Sequence, residues 1–134
     1  MKKINVGIIG LGFMGSTHFR IYQKNPKARL LALADIDPAK RRGDWRKICG
    51  NIGDGDNTRP VDLNGIKTCA AADDLINNPE IDLVDICLPT FLHKEYICKA
   101  LAADKHVFCE KPIARTLTEA KTVTALAKKA KGLF

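Results

Sequence analysis

Short apolar runs alternate with amphipathic stretches along this chain, and the alternation predicts most of its elements. Residues 4–9 (Ile-Asn-Val-Gly-Ile-Ile) and 29–34 (Arg-Leu-Leu-Ala-Leu-Ala) are apolar in the manner of strands covered on both faces. Shorter runs at 66–69, 81–88 and 106–109 bring the strands to five. Between them apolar positions recur at helical spacing. Over 13–24, Met14, His18, Ile21 and Tyr22 share one face, with Arg20, Gln23 and Lys24 opposite. Over 91–103 the inward face is Leu92, Tyr96, Ile97, Ala100 and Leu101. Thr116-Leu117-Thr118-Glu119 has the form of a capping box. It opens a helix to about residue 131, with Ala120, Val123, Ala127 and Ala130 inward and Gly132 at its end. Shorter helices are expected at 38–49, begun by Asp37-Pro38, and at 72–78. A polar loop over 50–65 joins the second helix to the third strand.

Strands alternating with helices predict a doubly wound parallel sheet, an α/β fold of Rossmann-like type with strand order 3-2-1-4-5. Residues 1–134 form one dinucleotide-binding domain in this reading. In such sheets ligands bind beyond the carboxyl ends of the strands, at the switch between strands 1 and 4. Four segments follow strand ends and are expected on that rim: residues 10–15, Asp35, Pro89-Thr90 and Glu110-Lys111-Pro112. Leu133-Phe134 look like the start of a further strand, which leaves the fifth strand as an unprotected edge.

Gly10, Gly12 and Gly15 form G-x-G-x-x-G between the first strand and the first helix. Gly10 suits the tight turn, Gly12 leaves room for a pyrophosphate, and Gly15 allows close packing of helix on strand. The helix N-terminus adds unpaired N–H groups. Asp35 lies where this fold places an acceptor for the adenosine ribose hydroxyls. Its carboxylate favours NAD over NADP, although Lys40, Arg41 and Arg42 follow closely and could hold a 2′-phosphate.

The five cysteines are odd in number and include no C-x-x-C, which argues against a disulfide framework or a zinc site. Cys87 and Cys109 read as buried thiols. His18 reads as an interfacial core residue. No metal site is expected: Asp54-Gly55-Asp56-Asn57 resembles a calcium loop only loosely and lacks the bidentate Glu. No apolar run is long enough to span a membrane, so a cytoplasmic protein is the expectation. The net charge of +7 raises the possibility of nucleic acid, but the bases are spread and not interleaved with aromatics.

The chain resembles the N-terminal half of the Gfo/Idh/MocA oxidoreductases, the glucose–fructose oxidoreductase and inositol dehydrogenase family. The resemblance rests on Gly10-Leu11-Gly12-Phe13-Met14-Gly15, Asp35, the 81–90 stretch ending Leu88-Pro89-Thr90 with His93 after it, and above all Lys105-His106-Val107-Phe108-Cys109-Glu110-Lys111-Pro112. It implies that Gly10, Leu11, Gly12, Phe13, Met14 and Gly15 cradle the pyrophosphate. Asp35 would bind the ribose, and Leu88, Pro89, Thr90 and His93 would line the ribose and nicotinamide side. Glu110, Lys111 and Pro112 would stand at the nicotinamide end, with Lys111 as the catalytic residue and Lys111–Pro112 a cis bond. His93 could instead cap or pack, and Lys111 could instead pair with Glu110 or be solvated.

The implied activity is hydride transfer between the nicotinamide cofactor and a sugar, cyclitol or related polyol. The family's second domain, which shapes the substrate pocket and makes a homo-oligomer interface, has no counterpart here. The chain therefore reads as truncated before the sixth strand, with cofactor affinity but negligible turnover. The competing readings are a non-catalytic NAD(H)-sensing module and a polyanion-binding protein.

Overall fold

In the computed structural model, which describes residues 2–49 and 58–134, β1 (Ile4–Ile9) is the central strand of a five-stranded parallel sheet ordered β3-β2-β1-β4-β5. β2 (Ala28–Ala34) and β4 (Leu83–Ile86) flank β1. β3 (Lys67–Cys69) and β5 (His106–Cys109) are the outer strands. The expected order is the observed one, and all four segments predicted at strand ends leave the sheet at its carboxyl rim.

Side chains alternate across each strand, and this divides the interior into two cores. On one face Ile9, Ala32, Ala34, Val84, Ile86 and Val107 pack against α3 (Ala72–Ile76), α4 (Thr90–Ala102) and α5 (Leu117–Ala127). On the other, Val6, Ile8 and Leu33 meet Leu11, Phe19 of α1 (Phe13–Lys24) and Trp45. Asp85 and Cys87 fall in register with this second face and so point towards α1.

Three expectations need correction. The 38–49 helix is only the four-residue α2 (Pro38–Arg41), capped as predicted by Asp37, whose side chain accepts from the Ala39 N–H. Gly43 then takes φ +83°, which stops the helix and turns Trp45 inward. Trp45 is fully buried, edge-on to Phe19, with its ring N–H on the Lys40 carbonyl. On α1 the buried positions are Gly15, Ser16, His18 and Phe19, whereas Ile21 is 57% exposed. The contact of Gly15 with the Gly10 backbone fixes the helix rotation and overrides the larger side chains. Finally, the edge of β5 is partly covered: the Val107 N–H donates to the Leu133 carbonyl, and the Leu133 N–H to His106 Nδ1.

Other boundaries shift by a few residues. α5 ends at Ala127, and Val123 alone of its four expected inward residues is fully buried. Its Thr116 hydroxyl accepts from the Glu119 N–H, but the Glu119 carboxylate takes the Arg115 N–H rather than that of Thr116. Lys105 is nearly buried and donates to the Asn78 and Ile81 carbonyls, which clamps the approach to β4. Residues 54–57, with their loose likeness to a calcium loop, lie outside the described residues.

Candidate functional site

At the end of β1 the chain turns at Gly10, whose φ is +91°, and enters α1 through Gly12. A Cβ on Gly10 would meet the Cys87 carbonyl oxygen at 2.6 Å, and one on Gly15 would lie 1.9 Å from the Gly10 carbonyl oxygen. At Gly12 a Cβ would meet nothing within 4 Å. The first glycine is therefore required by conformation, the third by packing, and the second faces open space. Among the described residues no side chain caps α1 at Gly12 and its first turn carries no acidic residue, so this positive end opens on the rim. A cleft beside it is walled by Gly12, Phe13, Asp37, Ala39, Lys40 and Lys47.

Asp35 at the end of β2 is engaged on both carboxylate oxygens. Oδ2 accepts from the Leu11 N–H at 2.7 Å and Oδ1 from the Asp37 N–H at 2.8 Å. It thereby ties the glycine loop to the second strand. Arg41 is committed to the Asp35 and Ile36 carbonyls, and the Lys40 ammonium is 3.9 Å from Asp35 Oδ2. Ile36 stands out at 89% exposure beside this carboxylate. Sequence reasoning passed over Ile36; its signal is an apolar residue placed between two aspartates just beyond a strand end.

On the other side of the switch point, Leu88, Pro89 and Thr90 turn the chain from β4 into α4. His93, in the first turn of α4, is only 1% exposed. One ring nitrogen is 2.7 Å from the Leu88 carbonyl oxygen and the other 2.7 Å from that of Pro112. His93 thus straps the Pro89 turn to the Lys111 turn. The Lys111–Pro112 peptide is cis. Lys111 is exposed and, among the described residues, its ammonium has no ion-pair partner.

Glu110 pairs elsewhere. Its Oε1 is 3.2 Å from His18 Nε2, while His18 Nδ1 is 2.9 Å from Asp85 Oδ2. Asp85 is fully buried, and the Cys87 thiol donates to its other oxygen at 3.4 Å. This cluster was not foreseen, although a carboxylate within the apolar run of β4 marks it in the sequence. The hydrogen bond that His18 donates to Asp85 holds the imidazole above its ordinary pKa of 6.5, against the opposing effect of burial, with the charges of Asp85 and Glu110 adding to the rise. Burial, then the Asp85 charge, pushes the Cys87 thiol far up, so it rests as a thiol and not as a nucleophilic thiolate.

A histidine whose folded pKa is raised stabilises the fold below its unfolded pKa and ceases to do so as pH rises through the folded value. The melting temperature of the wild type is therefore expected to fall between pH 6 and pH 9 by more than that of His18→Gln. Equal slopes in scanning calorimetry would remove His18 as the titrating group.

Over residues 4–134 the chain matches the model of an oxidoreductase family with an NAD-binding Rossmann fold. It is 32% identical over 143 residues to a levoglucosan dehydrogenase of Pseudarthrobacter phenanthrenivorans, covering 92% of this chain and 30% of that protein. It is 31% identical over 113 residues to an inositol 2-dehydrogenase of Pseudarthrobacter chlorophenolicus, covering 84% and 29%. It superposes with a TM-score of 0.76 and 28% identity on a scyllo-inositol dehydrogenase from Lactobacillus casei crystallised with NAD(H) and scyllo-inositol, over 96% of this chain and 34% of that one. The chain thus spans about a third of the length of the relatives it matches.

Proposed function

The chain belongs to the Gfo/Idh/MocA oxidoreductase family with its NAD-binding Rossmann fold, and from that premise we propose that it binds NAD(H) at this rim as the cofactor domain of a polyol, cyclitol or sugar dehydrogenase. The α1 end, with no side-chain cap at Gly12 among the described residues and open space over that glycine, carries the reading, because this is what a pyrophosphate needs. The amides of Phe13 and Met14 would join the glycines in holding the phosphates, while that of Leu11 stays on Asp35. Asp35, already fixed by two backbone amides, would offer its remaining lone pairs to the adenosine ribose, and Ile36 an apolar surface to the adenine.

When bound, the nicotinamide would supply the hydride acceptor or donor. The protein's part is to place Lys111 where the substrate hydroxyl loses or gains its proton and to stabilise the charge that develops there. Leu88, Pro89 and Thr90 would border the ribose and nicotinamide, with Glu110 and Pro112 at its far end. His93 would hold the two turns that carry these residues. Turnover in this reading requires the remaining two thirds that the relatives possess, so the 134-residue chain is expected to bind cofactor without measurable dehydrogenation.

Asp35 supports NAD rather than NADP. Its carboxylate repels a 2′-phosphate, and Arg41, the best placed guanidinium, already serves two carbonyls. Fluorescence titration should therefore give a lower Kd for NADH than for NADPH, by roughly tenfold if one desolvated charge contact decides it. Tighter binding of NADPH would reverse the cofactor assignment, and absence of binding by either would remove the function.

A further inference from the structure

Adjacent Glu110 and Lys111 share one turn, and an exposed lysine beside a glutamate has an obvious partner. The observed pairing is different. Glu110 turns back under the rim to His18, and Lys111 is left without an ion pair among the described residues. The ring of His18 is held between two carboxylates from two different strand ends, Asp85 on β4 and Glu110 after β5. Both ring nitrogens face carboxylate oxygens, an arrangement that favours the doubly protonated ring.

We propose that His18 is a positioning residue: by donating from Nδ1 to Asp85 and from Nε2 to Glu110, it draws the Glu110 carboxylate inward and keeps it off Lys111, whose ammonium is thereby left for the ligand. The proposal rests on the reading of Lys111 given above.

The surroundings fit this division of charge. Asp85, fully buried, anchors the imidazolium from below and cannot reach the rim. Cys87 donates its thiol to Asp85 and contributes no negative charge. Tyr22, on the same helix as His18, stays a neutral phenol, driven up by burial and then by the Asp85 charge. Cys109 is likewise held as a thiol, by burial first and then by Asp85 and Glu110. The Phe108 ring covers His18 at a centroid distance of 5.7 Å. Among these groups Glu110 is the one carboxylate that can choose between His18 and Lys111. Loss of the His18 proton removes its reason to face inward.

Trace labelling of the folded chain with acetic anhydride at pH 7, quantified at Lys111 by mass spectrometry, tests the proposal, because an ion pair slows acylation of an amine. His18→Gln should slow labelling of Lys111 by roughly two- to five-fold, the range an exposed ion pair supports. In a Glu110→Gln background the same His18→Gln change should have no effect. A loss that persists in that background would mean that His18 acts through packing alone and would overturn the proposal, as would unchanged labelling in the single variant. Should the variants not fold, nitrogen-15 NMR of the wild type still decides. Both ring nitrogens of His18 must carry protons at pH 7, and a neutral or metal-bound ring overturns the idea. A parallel arm with NADH keeps the two readings apart. Failure of NADH to shield Lys111 would count against the lysine's place at the cofactor, whatever the His18 variants show.

Discussion

Gly15→Ala is expected to lower the melting temperature by roughly 5–15 °C and to abolish measurable NADH binding, whereas Gly12→Ala should leave the melting temperature nearly unchanged and lose only the cofactor. The two glycines belong to one motif but meet different obstacles. A methyl at Gly15 would sit 1.9 Å from the Gly10 carbonyl oxygen, and because the obstacle is backbone the helix itself would have to shift. Overpacking of this kind costs about 1–3 kcal/mol, which for a domain of this size corresponds to the stated drop. A methyl at Gly12 meets nothing within 4 Å, and the residue has an ordinary φ of −80°. The space it fills is that assigned to the phosphates, so the same 1–3 kcal/mol appears there as a roughly 10- to 100-fold weaker Kd. Calorimetry and NADH fluorescence on the same two variants separate the cases. Gly12→Ala with wild-type affinity would show that the phosphates do not pass over this residue.

The second large effect concerns Lys111. In an enzyme that carries this domain together with the rest of the length its relatives possess, Lys111→Ala should reduce kcat by roughly 10²- to 10⁴-fold, the usual contribution of a positioned proton-transfer group. The Kd for NADH should stay within about threefold, since the glycine loop and Asp35 supply the cofactor's other contacts. Lys111→Arg should not restore the rate, because a guanidinium does not give up its proton. Unchanged turnover in Lys111→Ala would move the proton-transfer role to another residue.

The order of the sheet and the rim on which the site lies were legible because they follow from period. Near-continuous apolar runs and G-x-G-x-x-G constrain each other, and the switch point then follows from topology. The faces of individual helices were less legible. Ile21 is larger and more apolar than Gly15, yet it faces water because close backbone approach, not side-chain size, sets the rotation of α1. Trp45 escaped notice for a similar reason: helical spacing over 38–49 concealed the left-handed turn at Gly43 that swings the indole inward. The cluster of His18, Asp85 and Glu110 was invisible because His18 lies 67 residues from Asp85 and further still from Glu110, and only the folded sheet with α1 packed on it brings them together. Asp85 was the one clue, as a charge in a strand buried on both sides needs a partner.

His93 has a consequence for how tightly a ligand can be held. The imidazole joins the Leu88 and Pro112 carbonyls across the rim, so the backbone that carries Lys111 is ordered before any ligand arrives. Fixing one residue's backbone costs about 1–2 kcal/mol in conformational entropy. Here that entropy is lost when the chain folds and is not deducted from the free energy of association, which is the meaning of preorganisation. The strap also joins the turn that carries Pro89 to the turn that carries Lys111 through one side chain, so the two are positioned together.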